Sequence, residues 1–497
     1  MRTLLGDLLA SRLSQTPPGM LNKRLYDVLQ CAIQDGSIAP GSRLPASRDL
    51  AKDLSVSRNT VLSAYDQLQS EGYLQTRAGS GTFVCEVLPE GVPQVTEEAA
   101  PVIGQQSLNV ARLSTRGSRL LMHSGAGQHQ WGAFMPGVPD VSHMPHDIWR
   151  KIHLRLSRRM PVEALSYSSH GGCLQLQQAL AEYLRVIRSV NCTPEQILIT
   201  AGTHQALDLL AKMLCDPGDR AWIEEPGYWG IRNVLAVNGI ELQPVPVDEE
   251  GLTLNGADAD VRPPRLICVT PSHQYPLGSV MSLRRRHQLL ALASKAGSWV
   301  IEDDYDSEFR FTESPIPALQ GLAPDAPVIY LGTFSKTLYP GLRLSYMVVP
   351  EPLAARMKVA LSELYRGGNG LVQLTLAAFI REGHYAAHVR KMRQLYSRRR
   401  AELVRVIRES LGEAFIARQS NAGLHLVLSL PAHIDDVALS AGLEQNGVLT
   451  RPLSAYYQLG TVRRGLLLGF ACVEEHEMAE KFAPVLVCLA RLLTPPS

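Results

Sequence analysis

The densest chemistry in this sequence lies in one run, Thr333-Phe334-Ser335-Lys336-Thr337-Leu338-Tyr339-Pro340-Gly341-Leu342-Arg343, which directly follows the apolar residues 328–332. A lysine just past a strand end, flanked by hydroxyls and followed by an arginine, suits a Schiff-base lysine beside a phosphate clamp. Such an amine must be desolvated to act as a nucleophile. Hydroxyls and a guanidinium hold a phosphate dianion through charge-assisted hydrogen bonds. On its own, a Ser-Lys pair reads equally as a surface lysine.

Three further pieces stand upstream. Ile301-Glu302-Asp303-Asp304-Tyr305-Asp306 closes another apolar run. A carboxylate at that strand end can keep a pyridine nitrogen protonated, which makes the ring an electron sink. Four acids within so short a stretch also read as a solvated loop or a divalent-cation site. Ile199-Thr200-Ala201-Gly202-Thr203-His204-Gln205 passes from strand through a small-residue turn into a helix, whose first backbone N–H groups can receive a phosphate. Glu225-Pro226-Gly227-Tyr228-Trp229 offers an aromatic face for a planar ring, although Tyr228 and Trp229 suit a core as well. Together these residues are expected to form a site for pyridoxal 5′-phosphate, with a cation site as the alternative reading of the acids.

The elements that must position them follow from periodicity. From about residue 126 onward, short apolar runs at 197–200, 220–223, 266–270, 299–303 and 328–332 alternate with helical stretches. That rhythm predicts an α/β domain with a mostly parallel sheet. Residues 88–125 are rich in Pro, Gly and Ser and lack an apolar period, so they read as a linker. The expected division is 1–87, linker 88–125, and 126–497. At 497 residues, more than one domain is required.

Composition narrows the class. Lys plus Arg (49) nearly balance Asp plus Glu (47), so any nucleic-acid surface must be a local patch. The eight cysteines are scattered with no Cys-x-x-Cys pair, which argues against zinc or a disulfide framework and for reduced thiols in a cytoplasmic protein. No apolar run is long enough to span a bilayer. The opening Met1-Arg2-Thr3-Leu4-Leu5-Gly6-Asp7-Leu8-Leu9-Ala10 is interrupted by Asp7 and reads as a helix rather than a signal peptide.

Residues 40–74 carry a second motif. Ser47 is a candidate N-cap, followed by Leu50, Ala51 and Leu54 on one helical face. A turn at Ser55-Val56 leads to Ser57, which caps a second helix bearing Val61, Leu62, Ala64, Tyr65 and Leu68, and this helix stops before Gly72. Two short helices with a tight turn make a helix-turn-helix. The exposed start of its second helix, Ser57-Arg58-Asn59-Thr60, suits base edges and phosphates. The following run from Tyr73 to Val84 reads as two strands joined by a Gly-rich turn, Ala78-Gly79-Ser80-Gly81. Their Gly-rich tip, with Arg77, Gly79 and Gly81, is slim enough to lie along a backbone or in a minor groove. The plainer alternative is a surface helical hairpin with a solvated Arg face.

Arg-Leu-Pro-Ala-Ser-Arg-Asp-Leu-Ala at 43–51, Ser-Val-Ser-Arg-Asn-Thr-Val at 55–61, Glu-Gly-Tyr-Leu at 71–74 and the Gly-rich turn resemble the GntR-type winged helix. The pieces at 199–207, 225–229, 301–306 and 333–343 resemble, in order and spacing, the fold-type I aminotransferases. The combination is similar to the MocR/GabR-type regulators, in which such a domain follows the winged helix. The fold implied is a winged helix-turn-helix plus an α/β aminotransferase-like domain with a smaller α+β subdomain. The resemblance implies DNA contacts from Arg43, Arg48, Arg58 and Gly81. It implies that Lys336 forms the Schiff base, Asp303 pairs with the pyridine nitrogen, Tyr305 meets the ring hydroxyl and Tyr228 stacks on the ring. Gly202, Thr203, Thr333, Ser335 and Arg343 would then hold the phosphate, and Arg451 would lie near the carboxylate of an amine or amino-acid effector.

One departure stands out. Where aminotransferases carry Asn-Pro-Thr-Gly, this chain has Tyr275-Pro276-Leu277-Gly278 after Ser272-His273-Gln274. Tyr275 replaces the asparagine that binds the ring hydroxyl, leaving Tyr305, with Ser272 or His273, to hold that oxygen. The function expected is therefore a regulator of transcription that reads operator DNA as a head-to-tail homodimer. It would sense the cofactor or its amine adduct rather than turn over substrate. An active aminotransferase with an accessory DNA-binding domain is the alternative.

Overall fold

The computed structural model describes residues 4–17, 19–77, 80–86, 113–122, 130–167, 170–254, 262–311, 316–323, 325–416 and 421–493. The chain divides into two compact units, 1–112 and 113–497.

The first unit holds α1 (Leu4–Gln15), α2 (Leu21–Gln34), α3 (Ser47–Leu54), α4 (Arg58–Ser70), β1 (Leu74–Arg77) and β2 (Gly81–Val84). Leu25, Leu29 and Ile33 from α2 meet Leu50 of α3, Val61 and Leu68 of α4, and Val84 of β2 in one core. Their helical spacing puts one apolar stripe of each helix inside. Ser55 closes α3 in the left-handed region at φ 56°. Ser57 then caps α4, its hydroxyl accepting from Thr60 N at 3.1 Å. Ala46 rather than Ser47 precedes the first turn of α3. The expected cap is thus displaced by one residue, and Ser47 becomes the first helical position. β1 and β2 pair antiparallel, Leu74 opposite Val84 and Arg77 opposite Gly81. Residues 78 and 79, including the tip glycine Gly79, lie outside the described residues.

The second unit opens with α5 (Thr115–Met122), α6 (His146–Ser157) and α7 (Leu174–Arg188). Of the segment read as a linker, 88–125, residues 88–112 and 123–125 lie outside the described residues, while 115–122 folds as α5. The sheet follows: β3 (Ile197–Thr200), α8 (Thr203–Leu214), β4 (Arg220–Glu225), α9 (Trp229–Val237), β5 (Glu241–Asp248), β6 (Gly251–Leu252), β7 (Leu266–Val269), α10 (Leu283–Ala296), β8 (Trp299–Asp304), α11 (Leu319–Leu322), β9 (Val328–Thr333) and β10 (Ser345–Val348). Then come α12 (Glu351–Tyr365), α13 (Gly370–Arg381), α14 (His384–Leu411), β11 (His425–Ser429), α15 (Asp436–Gln445), β12 (Arg451–Pro452), β13 (Gly465–Gly469) and α16 (Met478–Leu493).

The eight strands run in the order β3-β10-β9-β8-β7-β4-β5-β6. Pairings from β9 through β5 are parallel, while β10 is antiparallel to both neighbours and β6 to β5. Every residue of β3, β7, β9 and β10 is buried, as a sheet covered on both faces requires. Alternation assigns the faces. Ile197, Ile199, Tyr330 and Tyr346 pack in one core with residues of α7 and α13. Leu198, Leu331 and Met347 pack in the other with residues of α8 and α12. β11, β13 and β12 form a separate antiparallel sheet whose core includes Leu428, Leu443, Leu468 and Phe482. This is the smaller α+β subdomain.

Candidate functional site

Doubly wound sheets bind ligands beyond the carboxyl ends of their parallel strands, because the connecting loops converge there. β3, β4, β7, β8 and β9 all point the same way, and their ends bring the sequence pieces together. Thr200, Ser345 and Thr333 form one row across β3, β10 and β9. The loop carrying Lys336 and Arg343 is therefore pinned at both ends.

Lys336 is half-buried, and its Nζ donates to Gly137 O at 2.6 Å. Burial lowers the pKa of its ammonium, opposed by the nearby Asp306 and Asp303 carboxylates. That shift favours the free amine that attack on an aldehyde requires. Thr333 Oγ1 donates to Ser335 Oγ at 3.1 Å and accepts from Ser335 N and Ser345 Oγ, so the hydroxyls form one network. Arg343 sits in the left-handed region at φ 50°, and its guanidinium lies against Gly202. A Cβ at Gly202 would come within 2.8 Å of Arg343 Nη2, so only glycine admits the side chain there. Gly202 immediately precedes Thr203, the first residue of α8. The guanidinium has no ion-pair partner among the described residues. Thus a cation, a helix N-terminus and hydroxyls converge without an internal anion, which is the donor set a phosphate needs.

The four acids of the 302–306 stretch part company. Glu302 accepts from Leu319 N and Gln320 N, capping α11. Asp304 is held by Arg188, Ser307 and Tyr330. Asp306 faces His273. Asp303 points to the opposite sheet face from Glu302 and Asp304, as strand alternation demands. No hydrogen bond to its carboxylate is found among the described residues. They therefore do not converge on one cation. Burial, with Asp304 and Glu224 nearby, pushes Asp303 up to about 7. A pyridinium would relieve that cost by pairing with the carboxylate.

Tyr228 lies close enough to Asp303 to be affected by its charge, and its hydroxyl meets His204 Nε2 at 3.1 Å. Burial, with Arg343 nearby, lowers the His204 pKa, so His204 remains neutral and can accept from Tyr228. A Cβ on Gly230 would strike both rings at 2.4 Å. Sequence reading took His204 only as part of the turn, because no local period reports a contact with a residue on a different strand-helix unit. Tyr305 meets His273 Nδ1 at 2.8 Å. The Ser272 hydroxyl accepts from Arg188 at 2.6 Å. Tyr275 turns its hydroxyl to Tyr456 at 3.0 Å. Arg451 on β12 is half-buried, and its charge reaches the Tyr275 and Tyr456 hydroxyls. It makes no ion pair among the described residues.

In the first unit, Arg43, Arg48, Arg58, Asn59 and Arg77 are exposed. Arg58 opens α4, with its Nε 3.4 Å from Ser47 Oγ. Ser57 and Thr60 spend part of their hydrogen-bonding capacity on the cap, their hydroxyls 2.8 Å apart. Arg43 packs on Gly81, where a Cβ would lie 3.0 Å from its Nε. The Arg77 guanidinium covers Phe83 at 4.9 Å. The cations of the turn and of the strand pair are thereby braced rather than free-swinging.

Comparison with known proteins agrees with both units. Residues 21–84 match the bacterial regulatory proteins of the gntR family, and residues 140–480 match aminotransferase class I and II. The chain is 39% identical over 467 residues to a probable rhizopine catabolism regulatory protein, MocR, of Rhizobium meliloti, covering 93% of this chain and 92% of that one. It is 32% identical to the pyridoxine biosynthesis transcriptional regulator PdxR of Corynebacterium glutamicum, covering 92% and 93%. Among solved structures, the kynurenine aminotransferase of Pyrococcus horikoshii superposes with a TM-score of 0.67 at 25% identity, covering 79% of this chain and 98% of that one. The α-aminoadipate aminotransferase LysN of Thermus thermophilus gives 0.66 at 27%, covering 76% and 95%. With a winged helix at its start, an aminotransferase-like unit after it and regulators as full-length relatives, the chain belongs to the MocR-type transcription regulators of the GntR family.

Proposed function

We propose that the aminotransferase-like unit of this pyridoxal 5′-phosphate-dependent, DNA-binding regulator is a sensor whose occupancy alters operator affinity. Lys336 would carry the cofactor, Asp303 would pair with its ring nitrogen and Tyr228 would cover one ring face. Gly202, Thr203, Thr333, Ser335 and Arg343 would hold its phosphate. The bound cofactor supplies a reactive carbonyl carbon and an electron-withdrawing ring. Arg43, Arg48, Ser57, Arg58, Asn59, Thr60, Arg77 and Gly81 would form the DNA-contacting face. Arg451, without an ion-pair partner among the described residues, would take the carboxylate of a small amino-acid effector. The carrying observation is that Arg343 has no ion-pair partner among the described residues, in a unit that also holds the desolvated Lys336 and in a chain that also carries a DNA reader.

A head-to-tail homodimer in the cytoplasm fits this reading. It is supported by the exposed apolar residues Val162, Leu165, Tyr167 and Leu174 and by the paired half-sites on which helix-turn-helix dimers act. No described helix is long and apolar enough to cross a membrane. A catalytic reading is favoured by one observation, the joint presence of Lys336, Asp303 and Arg343 in one site. The deciding test is a steady-state assay with amino donors and a keto-acid acceptor, run beside an operator titration with the same ligands. Slow or absent turnover with ligand-dependent DNA affinity is expected. Turnover near the ~10 per second of a median enzyme, with DNA affinity indifferent to every ligand, overturns the sensor reading.

A further inference from the structure

The ring oxygen of the cofactor would lack its usual amide partner here. Ser272 is tied to the Arg188 guanidinium and Tyr275 to Tyr456. A third set of groups forms a short buried chain. Tyr305 Oη lies 2.8 Å from His273 Nδ1, which lies 3.0 and 3.1 Å from the two oxygens of Asp306. His273 and Asp306 are 2% and 1% exposed, so water does not compete for these bonds.

We propose that His273, fixed by Asp306, is a positioning residue that orients the hydroxyl of Tyr305 toward the ring oxygen, replacing the asparagine that this chain lacks. The inference rests on the cofactor reading of the site. A single nitrogen faces three oxygens, and two of them belong to a carboxylate. The consistent arrangement places the proton on Nδ1, donated to Asp306 and to the Tyr305 oxygen together. The proton of Tyr305 is then left to be donated elsewhere. A bare Nδ1 would instead consume that proton and set a lone pair against the carboxylate. The imidazole is also held by packing, since a Cβ at Gly423 would fall 2.1 Å from His273 Cε1 and 2.7 Å from Asp306 Oδ2. His425 stacks obliquely at 5.5 Å on the His273 ring. Burial drives the His425 pKa down to about 3, and its Nε2 donates to Pro276 O, so this imidazole is uncharged. The other charged or titratable neighbours of this chain of groups are Asp303, Glu224, Tyr275, Asp304 and Lys336. All of these stay unchanged in the variants below.

The test uses the full-length protein loaded with cofactor and follows the pH midpoint at which the visible absorbance of the lysine-linked cofactor changes form. Above that midpoint the ring oxygen carries a full negative charge, which a donated hydrogen bond stabilises most. Loss of the donor therefore moves the midpoint upward, by about one pH unit for one hydrogen bond to an anion. His273→Leu is expected to keep borohydride-trappable cofactor and to show this upward shift. Tyr305→Phe should shift it in the same direction, and the double variant no further than Tyr305→Phe alone. His273→Asn, which retains a donor amide, should restore most of the wild-type midpoint. If His273→Leu does not accumulate as folded protein, Asp306→Asn provides the same reading through a milder shift. A wild-type midpoint in His273→Leu or Asp306→Asn, while Tyr305→Phe shifts it, overturns the proposal. Failure of the wild-type chain to trap any cofactor would instead overturn the cofactor reading itself.

Discussion

Lys336 and Asp303 make opposite demands on the empty and the filled site. Lys336→Ala should abolish the visible absorbance of bound cofactor and its trapping by borohydride while the protein stays soluble. Trapping that persists would refute the assignment. Asp303 is more informative, because its carboxyl sits near 7 when folded and near ~3.9 in an unfolded chain. Between those values the folded state holds the proton more tightly. The stability contribution is therefore fully present below about pH 4 and is lost as pH rises toward 7. Asp303→Asn lacks that loss. Without cofactor, its stability advantage over the wild type should grow across pH 4–7, by at most ~1.4 kcal/mol per pH unit, and then level off. Denaturant unfolding at several pH values checks this, and a constant difference would show that Asp303 is not desolvated. The same variant should bind the cofactor more weakly. That Lys336 and Asp303 lie at neighbouring strand ends was legible, because a lysine and an acid that close apolar runs are placed by type and spacing. The division of labour among the four acids was not, since Glu302, Asp304 and Asp306 are each held by a partner more than a dozen residues away, Leu319, Arg188 and His273, while Asp303 is left without one among the described residues.

At the scale of elements, the strands at 197–200 and 328–333 and the helix pair α3–α4 lie where periodicity placed them, because apolar alternation and caps are local signals. The departures are local too. Ser47 moved inside α3 because Ala46 takes the extended conformation that precedes a helix, at φ −60° and ψ 145°. Helix α5 was hidden in a segment without a clear period. The start of α4 carries a prediction of its own. Arg58 is exposed on its first turn, where a bidentate contact to guanine is worth about 1–3 kcal/mol. Arg58→Ala should weaken operator binding about ten-fold or more at fixed salt and leave the cofactor spectrum intact. Unchanged affinity would remove Arg58 from the interface. Ser57→Ala should cost the winged helix about 1 kcal/mol, because the Thr60 amide loses its acceptor, with thermal unfolding of the full chain as the readout.

For the whole molecule, regulation requires that a ligand bind two states unequally, and the resulting coupling is reciprocal. An effector that weakens operator binding by some factor must itself be bound more weakly, by the same factor, when operator DNA is present. Titrating the visible absorbance with an amine effector, with and without operator, and titrating operator with and without effector, should give one number. Two different factors would mean that the spectral change and the DNA response report separate events.

The pairing of Thr333 and Ser345 across the sheet has a kinetic consequence. The segment between them bears both Lys336 and Arg343, the residues proposed to hold the cofactor, and the sheet pins it at both ends. Capture of the cofactor then orders little additional chain, so little conformational entropy is lost on docking. On the proposed cofactor reading, refilling of a vacant protein should be paced by diffusion and by the condensation itself rather than by a folding step.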